Sequence, residues 1–166
     1  MYLKLRALIA VLGMCLTAAA SSAANLWSDA DPSRVVVHGA RFIVPEVGRT
    51  MTLNYSGMTD LLQGAPLERD VAAPDSPFEL ELPLPEGGYG RFRVVESPIM
   101  EPGLAKRYPM LKTYLGQGID NPTATVRFDL TARGFRAQVI ASTHTTYIEP
   151  YQTGDVGTYV VFNKSD

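Results

Sequence analysis

The groups in this 166-residue chain able to hold a metal or move a proton are two histidines, seventeen carboxylates and one cysteine. A protease zinc site of the H-E-x-x-H-x-x-G-x-x-H type sets two histidines one helical turn apart and adds a third after a glycine turn. Here His38 and His144 stand far apart, and neither has a second histidine or a suitably placed glutamate nearby. A tetrahedral site would have to draw carboxylates from elsewhere in the chain. No G-x-S-x-G elbow occurs, and no serine is placed against a histidine in a recognisable way. A Ser-His-Asp triad assembled from distant residues stays open, because such triads have no fixed spacing. Glu79 and Glu81 share one face of an alternating segment opposite arginines, the pattern of a solvated face and not of an acid/base pair. Glu86-Gly87-Gly88-Tyr89-Gly90 is glycine-rich but lacks the Lys-Ser/Thr of a phosphate loop, so it reads as a hairpin turn. Tyr108, Tyr114, Tyr147, Tyr151 and Tyr159 are scattered like core-edge aromatics, without the clustering of a ligand platform. We therefore expect no catalytic residues, no metal ligands and no cofactor in this chain.

The N-terminus sets the compartment. Lys4 and Arg6 precede an apolar run, residues 7–16, of the length of a signal-peptide core. Ser22-Ala23-Ala24 then fits small-x-small cleavage, which places the cut between Ala24 and Asn25. An uncleaved anchor and lipidation at Cys15 are the alternatives; Met14 before the cysteine disfavours the second. The expected organisation is a signal peptide, residues 1–24, and a single domain, residues 25–166, exported to the periplasm or beyond with no stable membrane anchor. Removing 24 of the 166 residues leaves 142, enough to bury roughly 70% of the unfolded surface. Loss of Lys4 and Arg6 takes the 15 Lys and Arg to 13, against 17 Asp and Glu, a net charge of −4. An acidic chain without a basic run is a poor partner for nucleic acid. With Cys15 gone no disulfide can form, so the core alone must hold the fold.

Twelve prolines and fourteen glycines separate short alternating segments, the pattern of antiparallel strands. Strands are expected at 35–37 and 40–44 on either side of Gly39, and at 50–56 with Met51, Leu53 and Tyr55 on one face. Thr59 is expected to cap a short helical turn through Leu62, followed by an aperiodic loop over 63–77. Residues 78–84 and 89–96 form a hairpin through Pro85-Glu86-Gly87-Gly88, placing Arg91 and Arg93 opposite Glu81 and Glu79. A helix is expected at 101–108, an extended piece at 111–115, and a glycine-rich loop at 116–122. Residues 123–130 and 135–140 pair through Ala132-Arg133-Gly134, with Ala124, Val126, Phe128 and Leu130 inward. Two more strands follow at 145–148 and 158–162. The expected fold class is a strand-rich α+β domain. Its antiparallel hairpins form one curved sheet or two packed sheets, with one or two short helices, the 101–108 helix lying over one face.

Several of these stretches also occur together in a known order: RFRVVESPIM at 91–100, YPMLKTYLGQGIDNP at 108–122, Ala124 through Leu130, and YIEPY at 147–151. In this the chain resembles the N-terminal pro-region of secreted bacterial zinc metalloproteases of the reprolysin-like (metzincin) group, over roughly residues 26–164. The resemblance implies a non-catalytic propeptide domain. Such a domain binds the zinc endopeptidase domain, assists its folding and occludes its cleft; the zinc belongs to that partner. The catalytic motif is missing from this sequence, so the expected role is that of a detached or free-standing chaperone or inhibitor without peptidase activity. Many metzincin pro-segments silence zinc with a cysteine thiolate, and none is left here after cleavage. That leaves steric blockage or an oxygen ligand. The loop Gly116, Gln117, Gly118, Ile119 and Asp120 is accordingly the expected protease-contact loop, with Asp120 as the carboxylate able to reach zinc. Against that role stands an ordinary turn-capping one before Pro122. The alternative function is an exported ligand- or surface-binding β domain with no protease partner.

Overall fold

A computed structural model describes residues 26–166; the expected signal peptide and the expected cleavage site at Ala24 and Asn25 lie outside the described residues. Nine strands form a single antiparallel sheet that curls into a nearly closed barrel. In chain order they are β1 (Trp27–Asp29), β2 (Arg49–Leu53), β3 (Glu79–Pro83), β4 (Tyr89–Glu96), β5 (Lys112–Gly118), β6 (Thr125–Thr131), β7 (Gly134–Ile140), β8 (Thr145–Pro150) and β9 (Thr158–Asn163). Strands β3 to β9 make an unbroken meander, β2 pairs with β9, and β1 lies outside β2. The edges of the sheet are thus β1 and β3. Of the two sheet arrangements open in the sequence, one curved sheet is the one formed.

Alternation fills the interior. Leu80 and Leu82, Phe92 and Val94, Val126 and Phe128, and Tyr159 and Val161 all point into one core. Trp27 meets Phe135 and Tyr159 edge to face at 5.4 and 5.3 Å, and Tyr114 stacks on Phe128 at 4.8 Å. The Tyr159 hydroxyl accepts from the buried Phe135 N–H and donates to the Val156 carbonyl, while burial pushes its pKa up to about 12. One end of the barrel is closed by helix α1 (Tyr55–Leu62), whose Met58 and Leu62 are fully buried.

The seam between β1 and β3 is joined by side chains instead of a ladder. Arg49 donates to the carbonyls of Leu84 and Gly88 on the β3–β4 turn, at 3.0 and 2.8 Å, and binds both carboxylate oxygens of Asp29. This ion pair holds the Asp29 carboxyl below its ordinary range. The Tyr89 hydroxyl donates to the Trp27 carbonyl, and Asn163 reaches Glu86 across the open end. Gly87 and Gly88, at φ of 109° and 70°, supply the left-handed backbone that lets this turn present its carbonyls to Arg49.

The strands expected at 78–84, 89–96, 123–130, 135–140, 145–148 and 158–162 are present with small shifts, and the hairpin register places Arg91 opposite Glu81 and Arg93 opposite Glu79. Other expectations are corrected. Residues 35–37 and 40–44 pair with no strand: the Gln152 side chain takes backbone groups of Val36, His38 and Gly39 that a ladder would need, and the chain bends at Gly39 and again at Phe42. Helix α1 starts at Tyr55 under an Asn54 cap, with Asn54 accepting from the Gly57 N–H. Tyr55 is therefore helical, and Thr59 donates back to the Tyr55 carbonyl instead of capping. Helix α2 (Pro102–Arg107) forms under a Glu101 cap, with proline in its first turn, but buries no residue and so covers no face. Gly116 and Gly118 belong to β5, not to a loop. Strand β1 was not anticipated.

Replacing Arg49 by Met removes the donor to two backbone carbonyls and the partner of Asp29. We expect a loss of about 1–3 kcal/mol in urea unfolding; an unchanged midpoint would show that the seam is held by other contacts.

Candidate functional site: a framed face on the barrel exterior

The outer side of β6, β7 and β8 carries two rows of polar side chains set by register. In the first, Asp129 lies opposite Arg136, whose guanidinium donates to Glu149 on the next strand at 2.9 Å. In the second, Arg127 lies opposite Gln138, which donates to the Tyr147 hydroxyl at 3.2 Å, and Tyr147 stacks on Phe162. Burial pushes the carboxyls of Asp129 and Glu149 above their ordinary values; for Glu149 the hydrogen bond from Arg136 opposes the rise, and for Asp129 the nearby Arg136 charge does. Arg136 gives no hydrogen bond to Asp129, so this half-buried carboxylate has no donor among the described residues.

Two depressions meet on this face. One, of about 340 Å³, runs from Ile99 over Asp129 to Arg136 and Glu149. The other, of about 670 Å³, runs from Arg136 and Glu149 to Phe42 and Ile43. The floor is charged and the two rims are apolar. One rim belongs to the β4–β5 excursion, where Ile99, 71% exposed, lines the first depression; Met110 of the same excursion, also 71% exposed, lies beside α1 instead. The other belongs to the β1–β2 excursion, where Phe42, 86% exposed, and Ile43 line the second depression. Exposed apolar side chains on projecting segments, set beside a charged floor, have the form of a protein-docking surface.

The expected contact loop lies elsewhere. Gly116 faces the interior between β4 and β6, where a Cβ would come within 2.7 Å of Val126 Cγ1. Gln117 points outward and donates to the carbonyls of Pro122 and Ala124. Gly118 closes the strand with its N–H on the Ala124 carbonyl, and the Ile119 N–H binds the Arg91 carbonyl. Asp120 accepts from the Arg91 guanidinium at 2.7 Å and from the Arg91 backbone N–H, contacts that hold its carboxyl below the ordinary range. The turn-capping role falls to Asn121, which accepts from the Thr123 N–H. The five residues thus join β4 to β5 and β6 at one corner of the barrel, apart from the framed face.

His38 and His144 are not brought together around carboxylates. His38 sits on the β1–β2 excursion, and the His144 ring lies against the Thr143 hydroxyl at 2.9 Å. Among the described residues no group of three or more His, Cys, Asp or Glu side chains could hold a metal ion. The donor set for a protease zinc is therefore not found among residues 26–166.

No family model, no curated protein and no solved structure matches the chain.

The raised Asp129 carboxyl has a direct consequence for stability. A carboxyl whose folded pKa lies above its unfolded value costs stability as pH rises from the ordinary 3.8 through the folded value. Asp129→Asn removes that cost. We expect the variant to gain stability relative to the parent between pH 3 and pH 7 in thermal unfolding; a relative loss over that interval would show that Arg136 outweighs the burial.

Proposed function

We propose that the domain is a non-catalytic, propeptide-like module that binds the catalytic domain of a secreted zinc metalloprotease, assists its folding and blocks its cleft. The observation that carries this reading is the framed face, with two apolar excursions on either side of a charged floor. The ordered motifs that resemble reprolysin-like pro-regions give the face a partner. They overlap one of its rims, because RFRVVESPIM and YPMLKTYLGQGIDNP run from β4 through Ile99 and on through Met110 into β5.

The physical role follows from linkage. A module that binds the native protease and not its unfolded chain lowers the free energy of the native state by mass action. Where the two are covalently joined, a high effective concentration strengthens that effect. Blockage is then steric, by a rigid barrel seated against the cleft, and the zinc and the chemistry remain with the partner.

The test uses residues 25–166 and a reprolysin-like catalytic domain from the genome that encodes this chain. Equimolar addition is expected to raise the yield of active protease on refolding from denaturant. It is also expected to inhibit the native enzyme with a dissociation constant of about 1 µM or lower. No effect on either yield or peptidase activity at tens of micromolar would reject the reading. Asp120→Ala separates the two modes of inhibition. With its carboxylate held by Arg91, the variant is expected to inhibit like the parent, whereas a tenfold loss would bring the Gly116–Asp120 corner into contact with the zinc.

A further inference from the structure

Beside α1 the barrel keeps an opening. A cavity of about 350 Å³ lies between that helix and the β4–β5 excursion. Strand alternation sets its floor. On β5 the inward positions are Lys112, Tyr114 and Gly116, and on β6 they are Val126, Phe128 and Leu130. Lys112, Tyr114 and Leu130 therefore reach the cavity from the inner side of the sheet. Tyr55 and Leu62 reach it from α1, and Met110 stands at its lip, 71% exposed. A largely apolar recess with a few polar groups, at the mouth of a barrel, has the form of a small-molecule site.

The polar side chains around this cavity are bonded elsewhere or open to water, with one exception. The Tyr55 hydroxyl donates to the Thr131 carbonyl at 2.7 Å, and the Thr59 hydroxyl donates to the Tyr55 carbonyl. The Lys112 ammonium binds Glu96 at 2.6 Å, and its side chain is 40% exposed, so water serves its other donors. Tyr114 is the exception. It is 3% exposed, its ring stacks on Phe128, and its hydroxyl has no hydrogen-bond partner among the described residues. A buried hydroxyl left in this way is a standing cost to the fold, which a guest oxygen would remove. Burial, and then the Glu96 charge, push the Tyr114 pKa up, so the phenol keeps its proton and donates. Glu96 also decides the kind of guest. It lies opposite Tyr114 on β4 and already neutralises Lys112. A second carboxylate brought to the hydroxyl would be repelled by it, whereas an uncharged oxygen would not.

We infer that this cavity binds a small, uncharged, largely apolar molecule through a carbonyl oxygen that accepts from the Tyr114 hydroxyl, with the apolar body against Leu62, Leu130 and Met110. The guest class is that of small ketones, esters and amides. The site lies beside α1, apart from the framed face, and the inference is independent of the metalloprotease reading. Met110 is unbranched and exposed, so it adapts to guests of different shape at the lip.

The experiment titrates residues 25–166 with three probes and follows backbone amide shifts by NMR. Acetophenone carries the carbonyl, benzoate puts a charge in its place, and toluene has no acceptor. Acetophenone is expected to bind with a dissociation constant of about 1 mM or lower, shifting the amides of Met110, Lys112 and Thr131. Benzoate is expected to bind at least tenfold more weakly. Tyr114→Phe removes only the hydroxyl, and is expected to weaken acetophenone binding at least tenfold. Toluene binding should be unchanged in the variant, which shows the cavity intact. Its urea midpoint should be at least as high as the parent's, because the lost group had no partner. No saturable shift of these amides with acetophenone overturns the inference. So does equal acetophenone binding by parent and variant, which takes the hydroxyl out of the site. Benzoate binding as tightly as acetophenone would move the contact to Lys112, and a lowered midpoint would show the hydroxyl already bonded within the fold; either also overturns it.

Discussion

The structure depends on closing a sheet whose two edges never pair. Among the described residues nine antiparallel strands curl far enough to bring the β3–β4 turn against β1 and β2, but β1 has only three residues and offers little ladder. Arg49 supplies the closure. From β2 it spans to the carbonyls of the Leu84–Gly88 turn on one side and to Asp29 on the other. An arginine suits this task because its planar fork presents several donors in fixed directions and stays charged at any pH the fold tolerates. With that bridge in place, the Tyr89 hydroxyl on the Trp27 carbonyl and Asn163 on Glu86 add two more ties to the β3–β4 turn.

Closure also decides where function can lie. The inward faces are packed with Trp27, Phe135, Tyr159 and their neighbours, and α1 closes one end. What projects is the pair of excursions between β1 and β2 and between β4 and β5. Both carry apolar side chains into solvent, and Ile99 from one and Phe42 from the other border the same face. A rigid scaffold presenting adaptable segments is the usual division of labour in recognition. No cysteine lies among the described residues, so within them that rigidity rests on the core and the seam.

Much of the barrel was legible because strands half-buried in a curved sheet alternate strictly. Residues 78–84 and 123–130 show their inward rows in the sequence, and the turn at Gly87-Gly88 declares its left-handed backbone. The less legible parts have specific causes. The β-branched run at 35–44 has strand chemistry but no strand partner, since a glutamine more than a hundred residues away occupies the backbone groups next to it. Gly116 and Gly118 looked like turn residues. They are glycines because side chains of the adjacent strands, Val126 and Val94, leave no room for a Cβ at Gly116, and the Asn121 carbonyl of the following turn leaves none at Gly118. Asp120 is exposed in sequence terms yet is held by Arg91, an arginine that register alone would have assigned to Glu81. The Asp129–Arg136–Glu149 row spans three strands, and no single segment reveals it.

The most direct measurement is a calorimetric titration of residues 25–166 into the folded reprolysin-like catalytic domain at several temperatures. The account predicts saturable one-to-one binding with a negative heat-capacity change, the mark of the apolar rims leaving water. Binding without a heat-capacity change, or no saturable binding at all, would contradict it.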